Sequence, residues 1–383
     1  VFHTPLLVAK WGRGNKKNFF TKVDYNAWTQ ENQDIRGVTV KYYKGLATSS
    51  SKEAKEYFKN LADHLVAFDH STPPGEIEQK INTAFSDDTA FKRQRREICL
   101  KPFADDIEQT GGTVSTVPEF VDRELKQFWD ENNLRVIPHV GDGLKESQRK
   151  IVFTLRQMNI RSTKNEKRVS EIAAYTITMT HYEHGEASLC GTIICMAQNY
   201  VGSNNINLLY PSGQFGTRCA TKDAGSPRYI HSFLDQISEL VFPPANDVVL
   251  QPRVENGHSI EPIHYVGVVP WLLINGARGI GIGVVTNVWQ RNPLDVIRIT
   301  RKRMVLGENA VRANWFDVDN PMECAPWYKG FKGTIEYTGD RYRVCGLVER
   351  NGGNKVTVTE LYPGKYTDKY LDFLTKNQYQ FDV

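Results

Sequence analysis

The sequence predicts a multidomain protein of the α+β class, and three observations carry this prediction. Its 383 residues suit two or three domains of roughly 100–200 residues each. Charged residues make up 24% of the chain and aromatic residues 11%, a balance typical of globular proteins and not of disordered or collagen-like chains. Apolar residues recur at helical spacing in the middle of the chain, whereas they alternate with polar residues towards its end.

The composition also limits the cellular setting. The longest apolar stretch, residues 266–274, contains Gly267 and Pro270 and is much shorter than the ~20 residues of a membrane-spanning helix. The chain begins with Val-Phe-His-Thr-Pro, without an initiator methionine and without a signal-peptide pattern. We therefore expect its N-terminus to be a cut end. The six cysteines form no Cys-x-x-Cys pair, which predicts free thiols in a reducing compartment.

The basic surplus of the chain is localised. The net charge is +4, and it arises within residues 141–230, because the remainder of the chain is balanced. A surface that faces a polyanion is one interpretation of this segment, and an ordinary solvated surface is the other.

The N-terminal 60 residues predict a mixed α/β arrangement. We expect strands at residues 5–8 and 38–43, with a Lys- and Asn-rich loop at residues 12–17 between them. A helix is expected to start at Ser51, which can cap it. Residues 69–117 are polar and contain Pro-Pro-Gly and Gly-Gly steps, which indicate irregular connecting structure.

The middle of the chain predicts several short helices. One starts at Thr116 with Pro118 in its first turn, one spans residues 145–158, and two more follow Arg168 and His184. The residues predicted to face inwards share one side of each helix: Val121, Leu125, Phe128, Ile151, Val152, Leu155, Leu189, Ile193 and Ile194.

A basic face and a glycine-rich loop complete this middle part. On the helix at residues 145–158, Lys145, Arg149 and Lys150 are predicted to point outwards. After the last helix, a stretch rich in glycine ends at Tyr229. Short helices followed by a loop or hairpin with basic residues are typical of a winged helix.

Beyond residue 245 the pattern changes to β. Asn256-Gly257 between alternating segments indicates a hairpin, and residues 331–337, 341–348 and 355–361 predict a meander. One helix interrupts these strands, with Asn292 as its cap and Pro293 at its first position.

No established catalytic or metal-binding spacing occurs in the sequence. The histidines and cysteines lack zinc spacing. The glycine-rich run at residues 275–283 matches neither phosphate-binding motif, because Gly279, Gly281 and Gly283 simply alternate. Alternating glycines suit a backbone that must approach another group closely, and a packed β-turn is the plainer interpretation.

Arg228-Tyr229 is the chemically suggestive pair. Pro227 restricts the chain just before it, and Arg228 places a fixed cation beside a phenol. A tyrosine attacks phosphorus when its proton is removed and the phosphoryl charge is neutralised. Tyr229 is therefore a candidate nucleophile, although a tyrosine with a purely structural role fits the same residues.

Six motifs in colinear order resemble the type IIA DNA topoisomerases of the eukaryotic kind. They cover nearly the whole chain and include the following: Lys41-Tyr-Tyr-Lys-Gly-Leu-Ala-Thr-Ser, Asp142-Gly-Leu-Lys with Gln148-Arg-Lys, His184-Gly-Glu-Ala-Ser-Leu, Gln198-Asn-Tyr-Val-Gly-Ser-Asn-Asn, Gly213-Gln-Phe-Gly-Thr-Arg with Ser226-Pro-Arg-Tyr-Ile, and Leu273-Ile-Asn-Gly-Ala with its following Gly-Ile-Gly.

The resemblance implies a division of the chain into four parts. Residues 1–70 would be the C-terminal part of a Toprim domain and residues 71–117 a connecting segment. Residues 118–243 would be the winged-helix domain, and residues 244–383 part of a β-rich tower domain. Toprim and winged-helix parts on one chain favour the eukaryotic or viral kind over the bacterial kind, whose two parts lie on separate chains.

The resemblance also implies a function and a set of site residues. Tyr229 matches the nucleophile that forms a transient 5′-phosphotyrosyl bond, Arg228 the arginine at the scissile phosphate, and His184 a histidine near the cleavage centre. The expected DNA-binding residues are Lys145, Arg149, Lys150, Gln214, Arg218, Ile280 and Lys44. For the basic residues a solvated face is the alternative, and for His184 a structural role.

Cofactors and partners follow from the same resemblance. The family acts as a homodimer on double-stranded DNA, with Mg²⁺ held by Toprim carboxylates and with ATP bound in another domain. The Glu-Gly-Asp-Ser-Ala and Asp-x-Asp-x-Asp-Gly motifs that carry those carboxylates do not occur in this sequence. We therefore expect no metal ligands in this chain, and no cleavage by it in isolation.

Several positions depart from the cellular pattern: Ala47, Glu146-Ser147, Glu183, Ser212 and Ile282. They indicate a divergent lineage, for which a large DNA virus and a protist are the two interpretations. The expected location is the nucleus, or a cytoplasmic viral factory or virion. The rival function is a non-catalytic architectural module for double-stranded DNA, and a weaker one is a metal nuclease without religation.

Overall fold

A computed structural model describes residues 2–43, 49–69, 71–101, 114–255, 258–306, 322–353 and 355–377. The chain divides into two compact units. Unit 1 comprises the chain up to Asn133 with two short segments, Val254–Ser259 and Ile280–Val285. Unit 2 comprises Leu134–Arg253, Ile260–Gly279 and Thr286–Val383. Both units mix helices and strands, which confirms the predicted α+β multidomain class, whereas the four-part division at residues 70, 117 and 243 stays a prediction.

An antiparallel sheet opens unit 1. Its strands are β1 (Leu7–Trp11), β2 (Asn15–Phe19) and β3 (Thr39–Tyr42), in the order β2-β1-β3, with α1 (Lys22–Glu31) between β2 and β3. The predicted loop at residues 12–17 is wrong in its second half, because β2 begins at Asn15. An edge strand tolerates exposed lysines, so its polar composition concealed it.

The next helix of unit 1, α2 (Ser51–Lys59), has its cap one residue earlier than predicted. The Ser50 hydroxyl accepts a hydrogen bond from the amide of Glu53, and the Glu53 carboxylate accepts one from the amide of Ser50. This reciprocal pair satisfies two amides that have no partner within the helix.

The expectation of irregular structure across residues 71–117 is wrong. Two helices occupy most of it, α3 (Pro74–Phe85) and α4 (Thr89–Leu100). Arg95 of α4 donates to the carbonyls of Thr83 and Ser86, each at 2.8 Å. These contacts join the C-terminal end of α3 to α4, and the spacing of Ile77, Ile81 and Ala84 in α3 was the sequence signal for a helix here.

The helix expected at Thr116 is present, with a change of register inside it. Thr116 and Glu119 form the cap of α5 (Val117–Phe120), which runs through a π-helical turn into α6 (Lys126–Val136). Val121 is buried as predicted, but Phe128 is exposed and Trp129 is buried in its place. The wider π turn shifts the apolar face by one residue.

Two short strands, β4 (Ala67–Phe68) and β5 (Val114–Ser115), pair in parallel before this helix.

Unit 2 contains the predicted winged-helix elements. Its helices are α7 (Glu146–Gln157), α8 (Val169–Thr180) and α9 (Glu186–Ala197). Its sheet has the order β6-β8-β7, with β6 (Lys167–Arg168), β7 (Leu209–Ser212) and β8 (His231–Leu234). The inward residues Ile151, Leu155, Leu189 and Ile193 are buried in one shared core, which confirms the helical spacing read from the sequence.

The chain after β8 is rich in strands, as predicted, although the expected meander is two separate hairpins, β13-β14 and β15-β16. The elements, some of which cross the border between the two units, are α10 (Ile237–Val241), β9 (Pro252–Glu255), β10 (His258–Pro262), α11 (Trp271–Asn275), β11 (Ala277–Ile280), β12 (Val285–Val288), α12 (Pro293–Leu306), β13 (Thr334–Tyr337), β14 (Tyr342–Cys345), β15 (Leu347–Arg350), β16 (Val356–Glu360) and α13 (Thr367–Lys376). Asn292 caps α12 through the amide of Leu294, at 2.9 Å. The predicted Asn256-Gly257 turn lies outside the described residues.

Across the described residues, no helix has both the length and the apolarity that crossing a bilayer requires. The six cysteines are free, as predicted.

Candidate functional site

Tyr229 lies near the end of the loop that joins β7 to β8. The two strands pair antiparallel with Ser212 opposite His231, so the loop spans residues 213–230. The Tyr229 side chain is 79% exposed, and Arg228 is exposed beside it. Within the part of the chain that the structure describes, neither side chain has a hydrogen-bond or ion-pair partner, so a phenol and a guanidinium stand together facing solvent.

The backbone around this pair is fixed although the side chains are free. The first two amides of α8, those of Val169 and Ser170, donate to the carbonyls of Ile230 and Pro227 at 3.0 and 3.1 Å. These amides have no acceptor within their own helix, so the loop supplies one to each of them. The chain is thereby fixed to the helix start immediately before Arg228 and immediately after Tyr229.

Ile230 anchors the loop from the inside. Its side chain is buried, and a Cβ placed on Gly225 or Gly213 would lie 2.7 or 3.1 Å from its Cγ2 atom. Gly213 also has a φ of +118°, which side-chain-bearing residues rarely adopt. The glycines of this motif therefore make room for Ile230, and burial of Ile230 turns the preceding Tyr229 outwards.

His184 lies just before α9 and is exposed. The Nη1 atom of Arg135 lies 3.0 Å from its Nε2 and 3.2 Å from its Nδ1, and the ring of Tyr182 packs edge-on at 5.4 Å. Sequence reasoning missed Arg135, which is 49 residues away from His184, and no spacing rule links the two. The structure joins them into one polar group on unit 2.

Arg149 does not point outwards, so its predicted placement is wrong. It is buried and donates from Nε and Nη2 to the two carboxylate oxygens of Asp142, at 2.7 and 3.0 Å. The same carboxylate accepts hydrogen bonds from the backbone amides of Leu144 and Tyr265. Asp142 and Arg149 thus hold the turn before α7 in place, and a buried guanidinium with this partner is not available to a phosphate.

Lys150 is also buried, against the prediction. Its ammonium lies 2.9 Å from Glu261 and donates to the carbonyl of Thr180 at 2.8 Å. Arg253 lies 3.0 Å from Glu146 and 3.3 Å from Glu261, and Lys150 lies 3.8 Å from Glu146. The four side chains form a closed ring of alternating charge.

The two carboxylates of this ring have pKa values shifted in opposite directions. Burial raises the pKa of Glu261 despite the neighbouring Lys150. Burial acts in the same direction on Glu146, but the charges of Arg253 and Lys150 outweigh it and lower the pKa of that carboxyl. Glu146 thus contributes the more exposed of the two negative charges of this ring.

The remaining predicted DNA contacts differ in their availability. Arg218 is half-buried, and its guanidinium contacts Glu360 at 2.6 Å and the carbonyl of Leu361, so its role in DNA binding stays a prediction. Lys145 is half-buried at the start of α7, and burial lowers the pKa of its ammonium. Gln214 is exposed, and Lys44 lies outside the described residues.

Ile280 ends β11, and 67% of its side chain is exposed. A Cβ on Gly281 would lie 2.3 Å from Oδ1 of Asn133, and one on Gly279 would lie 2.5 Å from the carbonyl of Val136. The close approach predicted from the alternating glycines is therefore confirmed, and its partner is α6 of the same chain.

The described residues contain no group of three His, Cys, Asp or Glu side chains placed to hold a metal ion. In this part of the chain the donor set consequently does not fit a magnesium site.

Two protein families match almost the whole chain. Residues 135–380 match the family of the DNA gyrase and topoisomerase IV A-type subunits. Residues 2–133 match the C-terminal associated domain of TOPRIM. The border between the two matches coincides with the end of the first and longest segment of unit 1, at Asn133.

Individual relatives and a solved structure agree with these families. The chain is 37% identical to DNA topoisomerase 2 of Bombyx mori, covering 97% of this chain and 24% of that relative. It is 39% identical to the mitochondrial DNA topoisomerase 2 of Dictyostelium discoideum, covering 97% and 28%. The crystal structure of the Plasmodium falciparum topoisomerase II DNA-binding, cleavage and re-ligation domain superposes with a TM-score of 0.76 and 34% identity, covering 98% of this chain and 49% of that one. The chain thus spans about a quarter of the length of its curated relatives.

Proposed function

This chain belongs to the type IIA DNA topoisomerases, and from that premise we propose that it forms the DNA cleavage and religation core of such an enzyme. One observation carries the proposal: Tyr229 and Arg228 are exposed side by side on a loop whose backbone is fixed on both sides of them. A nucleophile needs access to the substrate together with a restricted approach.

The proposed reaction is an exchange of one phosphoester for another. The phenolic oxygen of Tyr229 attacks a DNA phosphorus, loses its proton and forms a 5′-phosphotyrosyl bond. The bond from phosphorus to the 3′ oxygen breaks, and that oxygen leaves as a hydroxyl after gaining a proton. Arg228 stabilises the charge on the phosphoryl oxygens. Religation is the reverse reaction, so cleavage itself consumes neither water nor ATP.

The proposed DNA contacts are those that remain available in the folded chain. Lys145, Gln214 and His184 with its neighbour Arg135 can position the backbone without reading sequence, and Ile280 can enter the base stack. Lys44 stays an expectation. We leave out Arg149 and Lys150, since both are buried and paired with carboxylates, whereas Arg218 stays a proposed contact beside Glu360.

The remaining parts of the enzyme are proposals drawn from the family. Mg²⁺ would neutralise charge at the scissile phosphate. The family holds this ion with Toprim carboxylates, whose motifs do not occur in this sequence. ATP would bind in another domain of the enzyme. The partners proposed are double-stranded DNA and a second copy of the chain, one Tyr229 acting on each strand. The proposed location is the nucleus, and a cytoplasmic viral factory or virion is the alternative.

The experiment replaces the nucleophile. In the full-length enzyme, Tyr229→Phe removes only the phenolic oxygen, so relaxation of supercoiled DNA and covalent protein–DNA adducts should both disappear while duplex affinity stays within a few fold. Tyr362→Phe, at another exposed tyrosine, is the matched control and should retain both activities. Unchanged adduct formation in the Tyr229 variant would identify another nucleophile, and a wild type without adducts would favour the architectural DNA-binding module.

A further inference from the structure

The turn that follows Ile280 is held by three hydrogen bonds from two helices. The amide of Ile282 donates to Oδ1 of Asn133 at 2.8 Å, and Nδ2 of Asn133 donates to the carbonyl of Ile282 at 3.0 Å. The thiol of Cys99 donates to the same carbonyl at 3.3 Å. Asn133 lies on α6 and Cys99 on α4, and both belong to unit 1 together with residues 280–285. We call these three bonds the Ile282 clamp.

The clamp sends two neighbouring isoleucines in different directions. In a straight strand, residues two positions apart point to the same face. Here the side chain of Ile282 packs against the small core of unit 1 around Trp129, whereas that of Ile280 is 67% exposed. The strand ends between them in a turn, which the amide of Gly281 closes by donating to the carbonyl of Val284 at 2.9 Å.

Glycine makes this close approach to both helices possible. A Cβ on Gly281 would lie 2.3 Å from Oδ1 of Asn133, and one on Gly283 would lie 3.0 Å from Sγ of Cys99 and 3.1 Å from the carbonyl of Arg95. Gly283 also has a φ of +73°, which side-chain-bearing residues rarely adopt. The turn is therefore seated directly on α4 and α6, and its backbone has little freedom to move.

A fixed backbone matters to an apolar side chain that must enter DNA. Unstacking a base step is unfavourable, and a mobile loop would also have to be ordered at the moment of insertion, which weakens the interaction further. An unrestrained Ile280 would also bury its apolar surface against its own chain, since such burial is favourable. The clamp opposes both effects before DNA arrives.

From this arrangement we propose that Asn133 is a positioning residue for DNA bending, which acts by holding the turn so that Ile280 faces the duplex. This inference rests on the proposed function, in which Ile280 enters the base stack. Asn133 itself contacts its own chain through the Ile282 backbone, so its effect on DNA passes through Ile280.

The test compares bending with binding in the full-length enzyme. Asn133→Leu keeps nearly the same side-chain size and removes both hydrogen bonds to Ile282. One readout is energy transfer between the labelled ends of a short duplex with one preferred binding position. The other is the fluorescence of 2-aminopurine, which rises when this base is unstacked, placed in turn at each position of the duplex.

We expect Asn133→Leu to lose at least about half of the bending and of the 2-aminopurine signal, because Ile280 is no longer fixed in advance. Duplex affinity should change by less than about threefold, since phosphate contacts dominate it. Asn26→Leu makes the same chemical change at an exposed position of α1 and should behave as the wild type does.

Two further variants show whether Asn133 acts through Ile280. Asn133→Leu added to Ile280→Ala should bend DNA no less than Ile280→Ala alone, because residues that act as one unit are not additive. Asn133→Asp keeps the acceptor for the Ile282 amide and loses the donor, so it should lie between Asn133→Leu and the wild type. If Asn133→Leu fails to fold, Asn133→Asp provides the same comparison with Asn26→Asp as its control.

The outcomes separate this inference from the proposed function. If Ile280→Ala loses bending while the Asn133 variants match the wild type, the positioning role is wrong and the proposed function stands. An additive loss in the double variant, or an equal loss in the Asn26 control, also overturns the role of Asn133. If Ile280→Ala itself matches the wild type in both readouts, the insertion of Ile280 is wrong and the positioning role with it, whereas the Tyr229 variant still tests cleavage.

Discussion

Asn133 and Ile282, 149 residues apart in the sequence, exchange two hydrogen bonds through one side chain and one backbone unit. The amide of Ile282 donates to Oδ1 of Asn133 at 2.8 Å, and Nδ2 of Asn133 donates to the carbonyl of Ile282 at 3.0 Å. The thiol of Cys99 donates to the same carbonyl. This clamp fixes the backbone two residues beyond Ile280 and leaves the side chain of Ile280 exposed.

The first prediction concerns DNA bending by Ile280. An apolar side chain that enters a base step costs a few kcal/mol in unstacking, which contacts to the bent duplex offset. Ile280→Ala should therefore bend duplex DNA less sharply than the wild type in a fluorescence-transfer assay with end-labelled DNA. Val285→Ala, at a second exposed position of the same hairpin, is the control. Equal bending by the wild type and the Ile280 variant would show that Ile280 does not enter a base step.

The second prediction concerns the buried ion pair of Lys150 with Glu261. Removing Lys150 leaves the fully buried Glu261 with the more exposed Arg253 as its one remaining ion-pair partner among the described residues, so Lys150→Met should lower the free energy of unfolding by about 3 kcal/mol. Lys302→Met, which removes an exposed pair with Glu323, should cost at most about 1 kcal/mol. Urea denaturation measures both values.

A double variant separates the charge effect from packing. Glu261→Gln added to Lys150→Met removes the buried carboxylate that has lost its closest cation, so part of the lost stability should return. If the double variant is less stable than Lys150→Met, then the aliphatic stem of Lys150, rather than its charge, makes the principal contribution.

The third prediction is a loss of stability in mild acid. The rings of His139 and His264 stack at 4.4 Å, and the amide of Gly141 donates to Nδ1 of His139, which requires a neutral ring. Burial, then the neighbouring His264, lowers the pKa of His139; Asp142 acts against this shift and Arg149 with it.

The sign of the pH effect follows from that direction. Because the unfolded chain takes up the proton at a higher pH than the folded chain, the stabilisation is complete above the ordinary pKa of about 6.5 and decreases below it. Urea denaturation should show this loss as a fall in the free energy of unfolding between pH 7 and pH 5. His139→Gln should flatten the dependence, whereas His258→Gln, at an exposed position, should not. An unchanged slope in the His139 variant would refute this assignment.

The fourth prediction concerns the chain in isolation. It should bind duplex DNA with an affinity that falls as salt rises but form no covalent adduct, with or without Mg²⁺, because its sequence lacks the Toprim carboxylate motifs. Incubation with labelled duplex and detergent trapping measures this. Magnesium-dependent adducts through Tyr229 would mean that this chain does contain metal ligands.

Features set by neighbouring residues were predicted from the sequence. The caps at Thr116 and Asn292 were found because a capping side chain reaches amides two or three residues further on. The buried faces of α7 and α9 followed from helical spacing. Tyr229 itself came from the family's motif order, since one tyrosine among 17 has no local pattern that marks it.

The tertiary structure alone decided which cations are free. Arg149, Lys150 and Arg218 all look like available charges in the sequence, but their partners Asp142, Glu261 and Glu360 lie 7, 111 and 142 residues away. The partner of His184 and the clamp on Ile282 are equally remote in sequence. A hydrogen bond or ion pair depends on distances of about 3 Å between side chains, and only the folded backbone brings residues so far apart in sequence within that distance.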